Sequence, residues 1–509
     1  MNKKYTKIQM MFFGLNFIVG YAFLVGLGSV VKDSGYLFFL VVLICGTIAF
    51  SAGLAFARLS SIVDGFGGSY LYAKRAFPKK RFLYFLTGWA QYIQAPFVAV
   101  STITGIAWSF KLASSDTYNF KYFDFDNYKG WIYLAAVIIF CLIIIILNFG
   151  FVSTHNSLRI FWTLKWFIII LALGMCIYHL NDFKVNWNKN IFTNKPNSIL
   201  SIFQALVLFF FAYGGVEGIA AISKDVENSK KNMPRIILWT LVFTTIFYII
   251  FYLLITGAVE SKTLSGVDNP NPVNWLISNT FLGVVLGSIF LYLAISSQVA
   301  NKLTSRLQNG WVNTRLIAPL AADGFLPVLF AKRNKHNQFK YALYLDSAIS
   351  ISIILIYTIF VFTFKSLQDN LDKPMDMYSL IMFFQYFMTC LSAIVLAKKK
   401  VLNIKKIEVL FYYVGLVSIA IIQIGYVANI IFDNVGYDGN VSNISKNFYE
   451  LIPFILYFSS IIVGLILFYV GNKRNWRKDV ATIKDADLEN SLEHLDLEVA
   501  ETQFFTEDI

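Results

Sequence analysis

Charge is scarce in this chain: Asp, Glu, Lys and Arg make up 14% of its 509 residues, while 57% are hydrophobic. A soluble globular chain of that length carries more polar surface. Cysteine is scarcer still. Cys45, Cys141, Cys176 and Cys390 include no C-x-x-C pair, which leaves no disulfide framework or dithiol motif and makes them small packing residues. The four histidines stand at no metal-ligand spacing, so no metal site is expected, and His155 and His336 read as surface residues. No Walker loop occurs, which removes chemistry powered directly by a nucleotide, and no nucleophile stands at an informative distance from a base. Neither an enzyme nor a cofactor is expected.

What the chain has in place of charge is a succession of apolar runs of about twenty residues, each able to cross roughly 30 Å of hydrocarbon as a helix. Twelve are read, at 8–31, 36–57, 82–110, 130–150, 157–179, 199–222, 236–259, 276–301, 341–364, 377–397, 408–432 and 450–471. Runs this long and continuous mean helices, because barrel strands would be about ten residues of alternating polarity. The fold class expected is an all-α integral membrane protein of about twelve transmembrane helices. The first run has no small-residue cleavage site and is too long for a signal-peptide core, so it counts as a span.

Lys and Arg concentrate in alternate connections: Lys3, Lys4 and Lys7, then "KRAFPKKR", "KDVENSKKNMPR", the 302–340 stretch and "KKKVLNIKK". These read as cytoplasmic, which places both termini inside. The net charge of +13 is thereby explained by topology, and because it is spread over several loops, no nucleic-acid partner is expected or need be invoked. The chain divides into a transmembrane domain, 1–475, and a cytoplasmic acidic tail, 476–509, whose Leu488, Leu492, Leu495 and Val499 stand at helical spacing. The tail reads as solvated, with a regulatory plug as the alternative.

Two spans are interrupted. "FFFAYGGVEGIAA" sets Gly214, Gly215 and Glu217 in an apolar run, and "NFIVGYAFLVGLGS" does the same with Asn16, Gly20, Gly26 and Gly28. Adjacent glycines loosen a helix and expose backbone groups that lipid cannot satisfy, although glycines also permit close helix packing. Interrupted helices 1 and 6 lie five spans apart, the pattern of an inverted-repeat carrier with its site near the bilayer midplane.

"FFAYGGVEGIAAISKDVENSKKNMPR" resembles the sixth-helix signature of amino acid permeases of the amino acid-polyamine-organocation superfamily. "IVGYAFLVGLG", "DGFGGSYLYAKRAF" with "LTGWAQY", and "NTRLIAPLAADGFLPVLFAK" are similar to further family motifs in the same order, so that the likeness runs from about Gly14 to Lys335. The resemblance implies a LeuT-like 5+5 inverted repeat and a secondary active transporter of the cell membrane. Its substrate would be a small-molecule amino acid, carried by alternating access with proton coupling or by exchange. A polyamine or organic-cation carrier and a non-transporting sensor are the alternatives. Protons and the lipid bilayer are the other partners expected, and the oligomeric state is left open.

The resemblance also implies that the substrate carboxylate meets amides at Gly20, Tyr21 and Ala22, and its ammonium carbonyls at Ile18 and around Phe211, Ala212 and Gly214, beside Gly215. Tyr21 and Ala22 depart from the small residues usual in the family, which puts the carboxylate geometry in question. Phe211 corresponds to an outer gating aromatic, against the plainer reading of a lipid-facing ring. Glu217 is a costly intramembrane carboxylate, a candidate inner gate or proton-sensitive switch, unless it reaches water or caps a half-helix. Lys165 matches a lysine that stands in for a coupling sodium ion in proton-coupled relatives; it could equally snorkel, about 12 Å from the end of its helix. Gln91, Gln94, Asn148, Ser296, Ser297, Gln298 and Gln385 are further in-span polar residues, unranked. Arg58 and Asp64 also depart from the family pattern, and their charges could pair at the cytoplasmic mouth.

Overall fold

The computed structural model describes residues 4–20, 22–114, 151–192, 198–259, 283–334, 338–363, 372–435 and 448–474, together with a few isolated positions between them. The expected span 130–150 and the tail 476–509 lie outside the described residues, apart from Ala135, Ile138, Ile139 and Trp476. The α-helices of six residues or more among the described residues are α1 (Lys7–Ile18), α2 (Ala22–Ser34), α3 (Phe38–Ile62), α4 (Ser69–Ala76), α5 (Arg81–Ser114), α6 (Phe151–Tyr178), α7 (Ser201–Phe210), α8 (Val216–Ala221), α9 (Ser229–Ala258), α10 (Gly283–Ala322), α11 (Lys340–Thr363), α12 (Asp372–Lys398), α13 (Lys406–Val435) and α14 (Phe448–Arg474). Among the described residues, β structure is confined to two isolated bridges, Tyr5 with Val226 and Phe66 with Ile222.

Eight helical segments among these residues are long and apolar enough to cross a membrane. Two bounds differ from the sequence reading. Helix α2 runs through a tight turn at Gly35–Leu37 into α3, so that Leu27–Ile62 forms one apolar segment of 36 residues. The helix expected to end near 301 continues to Ala322. Its polar residues there resemble a loop in sequence, but they are satisfied inside the bundle: Arg306 pairs with Asp346 at 2.8 Å, and Asn313 donates to the same carboxylate at 2.7 Å. A buried pair of this kind is tolerated because further donors fill the remaining lone pairs.

Local chemistry sets where the elements begin and meet. A capping box opens α1: Thr6 N–H donates to Gln9 Oε1 at 3.0 Å, and Gln9 N–H donates to Thr6 Oγ1, which satisfies two of the orphan donors at a helix start. Helices α3 and α9 approach closely at Gly53, where any Cβ would run into Leu241. In their most apolar 18-residue stretches, 72% of the residues of Ser201–Ala221 and of Met375–Lys398 are buried, against 22% for Leu451–Arg474. The interrupted pair α7/α8 and helix α12 therefore form the centre, and α14 is peripheral.

The end of the bundle at which α1 begins is tied by backbone and charge. Tyr5 N–H donates to Asp225 O at 2.8 Å and Glu227 N–H donates to Tyr5 O at 3.0 Å. Arg315 meets Asp225 at 2.6 Å and lies over the rings of Trp311 and Phe66, a favourable site for a planar cation. Burial, and secondarily the neighbouring Arg315, lower Arg333 to about 10, with Asp225 opposing, so it is still charged at neutral pH. Burial and Asp225 push the Tyr5 phenol upward, against Arg315. Arg58 and Asp64 do not pair with each other: Arg58 binds Glu408 at 2.5 Å, and Asp64 accepts from the Ser229 hydroxyl at 2.5 Å. Both partners are remote in sequence, which is why local reading could not assign them.

Candidate functional site

Helix α1 stops at Ile18 because Val19 leaves helical dihedrals, with ψ at 81°. Val19 N–H still reaches Leu15 O at 2.9 Å, and Gly20 N–H turns back to Ile18 O at 2.8 Å. The break leaves carbonyls to be satisfied from outside the helix. Lys165 of α6 does so: its Nζ donates to Val19 O at 2.8 Å and Asn16 O at 3.2 Å. The side chain is buried, 1% exposed, so the lysine does not snorkel. Its neighbour Trp166 holds Asn16 through an indole N–H to Oδ1 bond of 3.0 Å. Tyr21 lies outside the described residues, and of Ala22 only the backbone is described.

The second break follows a single tight turn, Phe211–Tyr213, that ends α7. Gly214 is extended, and Gly215 has φ of 120°, a conformation that side chains other than glycine's rarely adopt. The two breaks abut: a Cβ on Gly215 would come within 3.1 Å of Ile18 Cγ1 and 3.3 Å of the Phe17 ring. Tyr248 of α9 joins them, donating to Ala212 O at 2.7 Å and lying 3.4 Å from Ile18 O. Each carbonyl has two lone pairs: Ile18 O is already approached by the Gly20 N–H and, at 3.4 Å, by the Tyr248 hydroxyl, whereas Ala212 O retains capacity beside its bond from Tyr248. Gly215→Ala should cost roughly 1–3 kcal/mol of backbone strain and separate the breaks. A lower melting temperature by thermal denaturation is the expected result.

Glu217 sits in the first turn of α8, 6% exposed. Its carboxylate accepts from Gly215 N–H at 2.8 Å, Tyr378 Oη at 2.8 Å and Tyr386 Oη at 2.9 Å. The buried carboxylate thus folds back onto the amide at the start of its own half-helix. Two hydroxyls from α12 and an amide are a donor set suited to an ionised carboxylate in a dry place. Tyr378 also closes edge-on against Phe211, with ring centroids 4.9 Å apart. Phe211 is half-buried, inside the protein rather than facing lipid alone. A Cβ on Gly214 would fall 2.4 Å from Tyr378 Oη, so glycine there is what lets Tyr378 reach Glu217.

Behind Glu217, Gln91 of α5 donates to the Glu217 backbone O at 2.9 Å and accepts from Ser69 N–H at 3.0 Å. Gln385 bonds Ser69 Oγ at 2.8 Å and accepts from Gln94 at 2.7 Å. The structure therefore brings Ile18, Gly20, Phe211, Ala212, Gly214, Gly215, Glu217 and Lys165 around the two breaks. Tyr248, Tyr378 and Tyr386 were not expected. Their only signal was a hydroxyl on an otherwise apolar face, weak in a chain with 28 tyrosines.

Comparison with known proteins bears on this geometry. The model of a family described as amino acid permease matches residues 6–461. The uncharacterized protein MG225 of Mycoplasma genitalium is 27% identical over 67% of this chain and 70% of its own length. The branched-chain amino acid permease BcaP of Bacillus subtilis is 21% identical over 41% of this chain and 42% of its own. The chloroplastic cationic amino acid transporter 9 of Arabidopsis thaliana is 23% identical over 63% and 55%, respectively.

Proposed function

The chain belongs to the amino acid permease family and is a transporter rather than an enzyme, and from that premise we propose that it moves amino acids across the cell membrane by alternating access, with proton coupling or by exchange. We read it as twelve spans in a 5+5 inverted repeat, with both termini cytoplasmic. The observation that carries this reading is the meeting of the two interrupted helices at Gly215 and Ile18, bridged by Tyr248.

A zwitterion suits such a junction. The Ile18 and Ala212 carbonyls would receive an ammonium, and the start of α2 at Ala22 would offer first-turn amides to a carboxylate, joined by the Gly20 amide on release of its bond to Ile18 O. The start of α8 is already taken by Glu217, which leaves α2 as the anion end. Phe211 and Tyr378 form the outer lid in this reading. Lys165 is the coupling group: its ammonium occupies the carbonyls of the first break as a metal cation would. The ties among Tyr5, Asp225 and Arg315 close the cytoplasmic path.

Ligand-induced thermal stabilisation tests the zwitterion requirement, since a ligand that binds only the folded state raises its stability. α-Amino acids of one side-chain class should raise the melting temperature. Their decarboxylated amines, and the matching acids without an amine, should not. Stabilisation by putrescine and by no amino acid would replace this reading with a polyamine carrier.

A further inference from the structure

The seam between α5 and α14 carries two features that the transport site does not use. At its basic end, a pocket of about 750 Å³ is lined by Lys79, Lys80, Arg81, Phe82, Phe468 and Asn472, among others. Lys79 and Lys80 are exposed and meet no carboxylate among the described residues. The nearby Asp323 is already bound by Lys74, at 2.7 Å, and by the Tyr70 hydroxyl. Arg81 lies over the Phe325 ring, 5.0 Å from its centroid, and the closest bond recorded for it is to a backbone oxygen, Asp323 O, at 3.4 Å. The pocket is therefore an uncompensated cluster of cations on an aromatic floor.

Deeper along the same seam runs an apolar groove of about 470 Å³, with Trp89, Ile93, Phe97, Ile353, Leu456 and Val463 in its walls. Its serine hydroxyls and indole N–H are already used: Ser352, Ser459 and Ser460 bond back to carbonyls of their own helices, and Trp89 Nε1 donates to Ser460 O at 2.8 Å. The groove therefore has little to offer a polar ligand. It adjoins the basic pocket on α14, where Leu467 lines one and Phe468 the other. At 1.5 Å per residue, Trp89 lies about 12 Å and Phe97 about 24 Å deeper than Arg81. An acyl chain hung from a headgroup at Arg81 would cover that range. Helix α14 is the least buried of the eight apolar segments, and Ile356 and Val463, about half exposed, carry the groove into the surface that faces lipid.

The geometry points to a binding site for an anionic phospholipid along the α5–α14 seam, with the headgroup phosphate at Lys79, Lys80 and Arg81 and one acyl chain in the groove. Loop lysines alone follow from membrane topology. A basic pocket between helices, continuous with an apolar groove, is the combination that recognises both parts of such a lipid. That the headgroup lies in the cytoplasmic leaflet rests on the orientation proposed above; the site itself does not.

Native mass spectrometry of the full chain, with phosphatidylglycerol or phosphatidylcholine added, tests this without reference to uptake. Phosphatidylglycerol adducts should dominate. Lys79→Gln with Lys80→Gln should lower them by roughly tenfold or more, and Val463→Phe should lower them by filling the groove. All three side chains are substantially exposed, so the fold is expected to survive. Glycerol phosphate in excess should fail to displace the lipid. Equal retention of both lipids by parent and variants would overturn the proposal. Displacement by glycerol phosphate would reduce the site to an anion pocket and overturn it too. A bare dimer that Val463→Phe abolishes would give the groove to a second copy.

Discussion

Lys165→Met is expected to abolish gradient-driven accumulation of substrate while leaving the protein folded. The Lys165 ammonium is buried, and the described residues place no carboxylate against it. Its bonds run to Val19 O and Asn16 O, and the Trp166 ring lies 5.8 Å away. A charge taken out of water with only carbonyl dipoles around it is costly unless those dipoles are well aimed. In the proposed mechanism the side chain would link two events, proton occupancy of the amine and closure of the α1/α2 break onto α6. Hydrogen bonds to charged groups contribute about 1.5–3 kcal/mol, which is roughly tenfold or more in the balance between closed and open forms. Methionine fills the volume but supplies no donor, so accumulation driven by an inward proton gradient should fall at least about tenfold. Lys165→Arg separates a titrating role from a positional one. Its guanidinium keeps the charge and does not lose it, so gradient-driven uptake should stay low even if substrate still binds. Full recovery with arginine would show that Lys165 only positions the break.

Glu217→Gln is the second large effect. The carboxylate receives three donors, from Gly215, Tyr378 and Tyr386. Glutamine replaces one accepting oxygen by an NH₂ that faces a donor, so at least one tyrosyl hydroxyl or the Gly215 amide loses its partner. An unmet buried donor costs about 1–3 kcal/mol. Transport should drop roughly tenfold or more on that scale, and any pH dependence carried by this group should flatten. Tyr378→Phe and Tyr386→Phe should each reproduce part of the loss. Because both hydroxyls meet one carboxylate, their effects combined with Glu217→Gln should be clearly less than additive. A Glu217→Gln protein that transports like the parent at every pH would remove both the gate and the switch from this residue.

The breaks were legible because glycine pairs and lone charges stand out in apolar runs. Gly214, Gly215, Glu217 and Lys165 each violate the local pattern, and each lies at the junction of the interrupted helices. Tyr248, Tyr378 and Tyr386 violate nothing. A tyrosine fits a buried helix face by its ring, and only the tertiary structure shows where its hydroxyl goes. The extension of α10 past 301 was hidden for the opposite reason. Arg306 and Asn313 look like loop residues until Asp346, on the next helix, is seen to satisfy both. Arg58 and Glu408 are 350 residues apart, and no periodicity in either segment connects them.

The most direct test is uptake into proteoliposomes preloaded with unlabelled amino acids. Each labelled amino acid, and labelled putrescine, is offered in turn, with and without an inward proton gradient. A secondary amino acid transporter should accumulate one class of amino acid above its equilibrium level. Loss of that accumulation without the gradient would show proton coupling, and its loss without the preload would show exchange. Ligand binding with no uptake of any amino acid under either condition would contradict transport and leave a sensor, and uptake confined to putrescine would contradict the substrate class.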